Sequence, residues 1–376
     1  MKRQRVPLGE LCDLVRGSSP ISKTPPGQYP LVTTGKENKT AENFQFDAEA
    51  VCIPLISSTG HGHASLKRVH YQAGKFALAN LLAVALIKDR SVLSAKFLAR
   101  YLMFAKDRLI VPLMTGAANM SISIDRLKTI PVEFPPLAEQ EQIVRLLDDA
   151  DELLLLQAQA DRRTDALLPA VFHEMFGEPT AANTRWQTSA IKGMGKVVTG
   201  NTPPRKNTKF YGSFIEWVKT DNIAPTSRIV GKATEMLSEQ GAARGRVVPA
   251  GSVLVKCIAG SRDRIGDAAV TDREVAINQQ INAIVPTAET DSAFLCELVR
   301  AIKPVIQSKL TGVMTGIINK SALEEIETIY PPFPLQRKFG MLASAIRELK
   351  VEQAASRRNM DALFQSLLHR AFEGDL

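Results

Sequence analysis

Proline pairs, a short acidic-x-basic triplet and closely spaced histidines are the strings in this sequence that invite comparison with catalytic motifs. An amino-methyltransferase needs a pocket for an extruded base and an Asn/Asp-Pro-Pro-aromatic string beside it. Phe134-Pro135-Pro136-Leu137 lacks both the polar residue and the aromatic, Tyr330-Pro331-Pro332-Phe333 lacks the polar residue, and no glycine-rich cofactor loop follows a strand-like run. Glu37-Asn38-Lys39 has the form of a nuclease triplet, but metal-dependent cleavage also needs a second carboxylate to hold the ion, and no Pro-Asp precedes it. His61 and His63, one residue apart, point to opposite faces of a strand, so with His70 they read as surface or phosphate-contacting groups rather than metal ligands. Cys12, Cys52, Cys257 and Cys296 form no CxxC pair, which argues against a zinc ribbon or a dense disulfide framework and fits a reduced, cytoplasmic compartment. The expectation is a chain with no catalytic residue, metal or cofactor of its own.

The chemistry left is recognition. Forty-seven Lys and Arg against 39 Asp and Glu give a formal charge of +8, which favours a polyanionic partner through phosphate neutralisation. Arg and Lys bind phosphates or guanine edges, and Asn and Gln pair with adenine. Candidate DNA contacts are Lys36, Asn38, Lys39, Lys67 and Arg68 in the first half, and Arg205, Lys206, Lys209, Lys219, Arg244, Arg246, Arg262 and Arg264 in the second. The run Gly260-Ser261-Arg262-Asp263-Arg264 is the densest local cluster. Each of these residues alone also reads as a solvated surface charge. The chain as a whole also admits a second reading, a scaffold whose basic parts bind an acidic protein.

The elements that must position these residues come in two copies. TGAANMS at Thr115–Ser121 returns as TGIINKS at Thr315–Ser321, an interval of 315 − 115 = 200, and FPPLAEQ from Phe134 returns as YPPFPLQ from Tyr330. Fainter echoes join LGELCDLVRGSSP to IKGMGKVVTGNTP, and Ala79-Asn80 to Ile277-Asn278. The long part of each copy, rich in Gly, Pro, Thr and Asn between short β-like runs, predicts a mixed α/β globular domain. The short part predicts a helix. A heptad places Ile143, Ala150 and Gln157 at one seam position and Leu146 and Leu153 at the other. The second copy, 196 residues on, keeps the register with Phe339, Ile346 and Gln353, then Leu342 and Leu349. Gln157 and Gln353 either face one another at the seam, fixing register, or lie exposed on slightly rotated helices. The proline pairs end the globular parts, and Pro169 predicts a kink or break near the end of the first helix. The outward charges Glu139, Glu141, Asp148, Arg162 and Arg163 are candidate contacts to a partner subunit, while a second reading has the heptads only hold the protein together.

The expected order is a globular domain over 1–135, a first spacer helix over 136–180, a second globular domain over 181–331 and a second spacer helix over 332–376, the helices pairing as an antiparallel coiled coil with an internal pseudo-twofold repeat. A helix of about 35 residues at ~1.5 Å per residue spans on the order of 50 Å, comparable to about 15 base pairs. No signal-like core and no apolar run of ~18 residues predicts a membrane segment. The doubled order of domain then helix, the T-G-x-x-N-x-S strings, the Pro-Pro entries with PPLAEQEQIV, and the closing DALLPAVF and DALFQSLL segments resemble the specificity subunits of type I restriction-modification systems over nearly the whole chain. The resemblance implies two target recognition domains that each read half of a split site in double-stranded DNA, a helical pair that docks two methyltransferase (modification) subunits, and restriction subunits joining that core. Adenine methylation and ATP-driven cleavage would then belong to those partners. Phe333-Pro334-Leu335-Gln336 departs from Leu137-Ala138-Glu139-Gln140, which puts equivalent partner contact by the two helices in question.

Overall fold

The computed structural model describes residues 3–35, 37–58, 64–117, 119–181, 184–312 and 316–373. The chain divides into two compact units, Met1–Gln157 with Arg357–Leu376, and Ala158–Ser356. Unit 1 holds β1 (Gln4–Pro7), α1 (Leu8–Leu11), β2 (Cys12–Arg16), β3 (Tyr29–Val32), β4 (Lys39–Ala41), β5 (Phe46–Asp47), β6 (Ala50–Pro54), β7 (His70–Gln72), β8 (Lys75–Leu78), β9 (Leu82–Ile87), α2 (Ala95–Leu109), α3 (Ile124–Lys128) and β10 (Pro131–Phe134). The long helix α4 (Leu137–Phe176) begins in unit 1 and ends in unit 2. Unit 2 continues with β11 (Thr188–Ala190), α5 (Ile191–Met194), β12 (Gly195–Thr199), β13 (Tyr211–Val218), β14 (Met236–Leu237), α6 (Glu239–Arg244), β15 (Arg246–Val248), β16 (Val253–Lys256), β17 (Ala268–Val270), β18 (Val275–Ile277), β19 (Ile281–Pro286), α7 (Ser292–Ala301), α8 (Lys303–Ser308), α9 (Lys320–Glu324) and β20 (Glu327–Ile329). The second long helix, α10 (Phe333–Glu373), begins in unit 2 and ends in unit 1.

The strands of the two units correspond one for one. Unit 1 has sheets ordered β2-β9-β6-β7 and β4-β3-β8-β5 with a β1-β10 ladder; unit 2 has β12-β19-β16-β17 and β14-β13-β18-β15 with β11-β20. β3 with β8 and β13 with β18 are parallel, and the other strand pairs are antiparallel. The central strands are apolar without a break because both faces are covered. Val51, Ile53, Ala83 and Ala85 face the helical layer, whereas Ala50, Cys52, Leu82 and Val84 face the second sheet. Unit 2 divides in the same way, with Val253, Val255 and Ile284 on one side and Leu254, Ile281 and Ala283 on the other. Successive side chains of a strand point to opposite faces, so each buried strand joins two cores.

The covering helix is set by spacing and by its cap. Phe97, Leu98, Tyr101, Leu102 and Ala105 line one face of α2, and Phe294, Leu295, Leu298 and Val299 line one face of α7. Ser94 caps α2 by accepting from the Phe97 N–H, and Asp291 caps α7 by accepting from Ala293 and Phe294. In each unit the start of one long helix joins the core together with the end of the other. Ile143, Val144 and Leu147 share a core with Phe364, Leu367, Leu368 and Phe372 in unit 1, as Leu168 and Phe172 do with Phe339, Ala343 and Ile346 in unit 2. This is the antiparallel order.

Two sequence expectations change. α4 continues through Pro169 to Phe176, because Phe172 and Phe176 anchor its last turns against Phe294 and Phe339 at 5.0–5.8 Å. Packing on that scale offsets the roughly 3 kcal/mol that a proline costs inside a helix. The repeat interval at the T-G string is 196 rather than 200. Thr115 pairs with Ser121 and Thr311 with Ile317, after which Ile122 donates to the Leu55 carbonyl and Ile318 to that of Cys257. Thr115-Gly116 therefore corresponds to Thr311-Gly312, both glycines at positive φ (140° and 97°), and the long helices keep the same interval. Thr315 itself lies outside the described residues.

Candidate nucleic-acid interface

In each unit the C-terminal ends of four strands converge on one short connection. In unit 1 that connection is Ala79–Leu81, between β8 and β9. Gly17 after β2 donates to the Leu82 carbonyl (2.9 Å), Ala79 to that of Val32 at the end of β3 (3.0 Å), and Leu55 after β6 to that of Leu81 (2.9 Å). In unit 2 it is Asn278–Gln280. Gly200 after β12 donates to Ile281 (3.0 Å), Asn278 to Val218 (3.1 Å), and Cys257 after β16 to Gln280 (2.9 Å). These bonds equate Asn80 with Gln279, one residue beyond the pairing that the sequence strings suggest. The entry loops approach so closely that a Cβ on Gly17 would collide with the carbonyls of Leu78 and Ala79, and one on Gly200 with those of Ile277 and Asn278.

The convergent end of unit 2 gathers part of the basic set. Arg246 begins β15 opposite Ile277, and the Arg244 carbonyl accepts from Asn201 Nδ2 (2.8 Å). Lys219 follows Val218 directly. Arg205 lies 5.6 Å from the Tyr211 ring centroid and 5.2 Å from that of Trp217, with Lys219 over Trp217 at 4.9 Å. Both cations pair with Glu235, and Lys219, then Arg205, hold its carboxyl below the usual range. Two cations sharing one carboxylate leave a positive surface. Lys206 and Lys209 are exposed on the segment leading into β13.

Arg264, partly exposed, is held by a buried carboxylate. Its Nε donates to Asp267 (2.9 Å), whose buried carboxylate also meets Lys303 at 2.6 Å and Lys256 at 3.6 Å. Burial, opposed by Asp267, lowers the pKa of Lys256. Arg262, by contrast, is exposed, on the loop that leaves β16. In unit 1, Asn38 donates to Gln72 (3.3 Å), Lys39 is exposed on β4, Lys67 is exposed and Arg68 half-buried. Lys36, His61 and His63 lie outside the described residues. Sequence reasoning passed over the neutral polar side chains here: Ser18 and Ser19, which accept from Gln45 (2.6 and 2.7 Å), and Thr202, which donates to Gln279. Their signal was the shared Gly-x-x-Pro of the two entry loops.

The helix-seam candidates separate by burial. Ile143 and Phe339 are buried, Ile346 packs partly on its core, and Ala150, Gln157 and Gln353 are half-buried. Leu146 (39%), Leu153 (56%), Leu342 (40%) and Leu349 (41%) are exposed. The inward face instead takes Val144 and Leu147 in α4 and Ala343 in α10, which turns the other heptad stripe outward. Asp148 pairs with Arg100 at 2.6 Å and Lys96 at 3.6 Å, Arg100 also with Asp151, while Glu141, Arg162 and Arg163 are exposed.

The four cysteines are free and buried, and burial pushes each thiol up to about 12, which removes them as nucleophiles at neutral pH. Burial, then Arg68, lowers His70 to about 4, so it is neutral there. Among the described residues no group of three His, Cys, Asp or Glu is placed to hold a metal ion, and no helix is long and apolar enough to cross a membrane.

The family model described as Type I restriction modification DNA specificity domain matches residues 2–161 and 183–344. The type I restriction enzyme HindI specificity subunit of Haemophilus influenzae is 26% identical over 51% of this chain and 42% of its own length, so the match spans less than half of that relative. A type I restriction-modification S subunit from M. genitalium has the same fold at 16% identity, with a TM-score of 0.61 over 99% of this chain and 96% of that one. A chain solved in work on complex assembly and conformational transition of the type I R-M system gives 0.64 at 17% identity, over 100% and 98%.

Proposed function

The chain belongs to the family of type I restriction modification DNA specificity domains, and on that premise we propose that it is the DNA-reading subunit of a cytoplasmic type I restriction-modification complex. Each unit reads one half of a bipartite site in double-stranded DNA, using the convergent strand ends at Ala79–Leu81 and Asn278–Gln280. The single observation that carries this reading is the repetition of that end: four strands meet one connection in both units, with three matching backbone bonds and different side chains. One architecture with two sets of side chains suits two unlike half-sites. Positive charge supplies sequence-independent attraction through phosphates, and the polar side chains supply the choice of sequence.

The exposed leucines of the two long helices supply the second half of the proposal. Leu146 and Leu153 of α4, and Leu342 and Leu349 of α10, recur at the same heptad position 196 residues apart. Two equivalent apolar stripes fit two copies of one helical partner, the modification subunit, through which restriction subunits join. Methyl transfer and cleavage belong to those partners. The test is to express the chain with the modification subunit encoded beside it and map methylated adenines by single-molecule sequencing. A split motif whose halves change separately when residues 1–135 or 181–331 are exchanged for those of a relative is the expected result. No methylation, with no binding to DNA or to the modification subunit, would overturn this reading in favour of a scaffold for an acidic protein.

A further inference from the structure

Several long cations of unit 2 are held by protein carboxylates. Arg205 and Lys219 are tied to Glu235, and Arg264 to Asp267. Gln279, exposed and bonded to Thr202, offers a neutral donor and acceptor instead. The Thr202 hydroxyl donates to its Oε1, which restrains the carboxamide, and no protein acceptor among the described residues takes its amide protons. A carbonyl oxygen has two lone pairs, so Oε1 keeps one free after accepting from Thr202. The side chain therefore presents one acceptor and one donor side by side, beside Thr202.

That pattern is complementary to adenine in the major groove, whose edge offers the N6 donor beside the N7 acceptor. Guanine offers two acceptors there, N7 and O6, and would bring O6 against Oε1. Asn80 occupies the equivalent place in unit 1. Its backbone is held by its own N–H on the Ser19 carbonyl (3.0 Å) and by Arg16 Nε on its carbonyl (2.9 Å), with its carboxamide left for a ligand. The neighbours differ between the units, Ala79 against Asn278 and Leu81 against Gln280, but an amide stands at this position in both.

We propose that Gln279, oriented by Thr202, reads an adenine in the half-site of unit 2, and that Asn80 reads one in the half-site of unit 1. This rests on the reading that each unit contacts one half of a split site. The test uses the full chain assembled with its modification subunits and maps the methylated motif for Q279A, N80A and T202V beside the unaltered protein. Q279A keeps the split motif and lowers the preference for adenine at one position of one half by about tenfold to a hundredfold, the range of a bidentate amide contact. N80A does the same in the other half only, and T202V relaxes the position that Q279A relaxes, by less. An unchanged motif in Q279A and N80A, or a uniform loss of methylation at all sites, overturns the assignment while the split motif of the unaltered protein stands. If the unaltered complex reads no split motif, the half-site reading itself fails.

Discussion

At the scale of single residues, two glutamines join the long helices to the globular cores. Gln140, fully buried, accepts from the Ser94 N–H (2.9 Å) and donates to the carbonyls of Val92 and Pro135 (2.8 Å each). Gln336 repeats this, accepting from Asp291 (3.1 Å) and donating to Pro331 (2.7 Å). Each therefore ties the first turn of a long helix to the cap of the helix that covers the first sheet. In the sequence these residues were the final letters of PPLAEQ and PPFPLQ, with no role attached. Replacing Gln336 by Ala strands a buried donor and acceptor, a loss of roughly 1–3 kcal/mol. Both tryptophans, Trp186 and Trp217, lie in unit 2, so urea unfolding followed by tryptophan fluorescence reads the change. Gln365→Ala, on the exposed face of the same helix, is expected to stay within about 0.5 kcal/mol.

At the scale of elements, the entry loop after β12 keeps its place because Gly200 lets it lie against Ile277 and Asn278. The backbone atoms of a parallel strand end cannot yield as a flexible side chain would. Gly200→Ala is expected to push the loop away, break the Gly200-to-Ile281 bond and release Thr202 from Gln279. Hydrogen exchange should quicken at Gly200 and Asn201, with global stability lower by about 1–3 kcal/mol. Unchanged exchange there would show that the loop is held by other contacts. The short β-like runs of each copy are legible as strands, but not the division of the β6 and β16 side chains between two cores. That division depends on which layers cover the two faces, and the strands alone do not state it.

At the scale of the whole molecule, the family, the repeated architecture and the exposed leucines bear on assembly. Leu146→Arg with Leu153→Arg places charge on one apolar stripe, and Leu342→Arg with Leu349→Arg on the other. Each pair is expected to cost the complex one modification subunit, read by native mass spectrometry, with little change in unfolding of the isolated chain because the replaced side chains are already exposed. Full occupancy in both double variants would remove the stripes as docking surfaces.

The amino-acid sequence by itself determined the duplication, the two long helices and the lack of methyltransferase or nuclease strings. Those signals are local: a heptad, a proline pair or a missing residue type is complete within a few turns of chain. Only the tertiary structure decided that the T-G strings align at the same interval of 196 as the long helices, that Leu146 and Leu342 turn outward, and that Arg264 pairs with Asp267. It also decided that Gln279 is oriented by Thr202, 77 residues earlier in the chain. The orientation of a side chain is set by whatever the fold places beside it, and here that neighbour arrives from a different strand end.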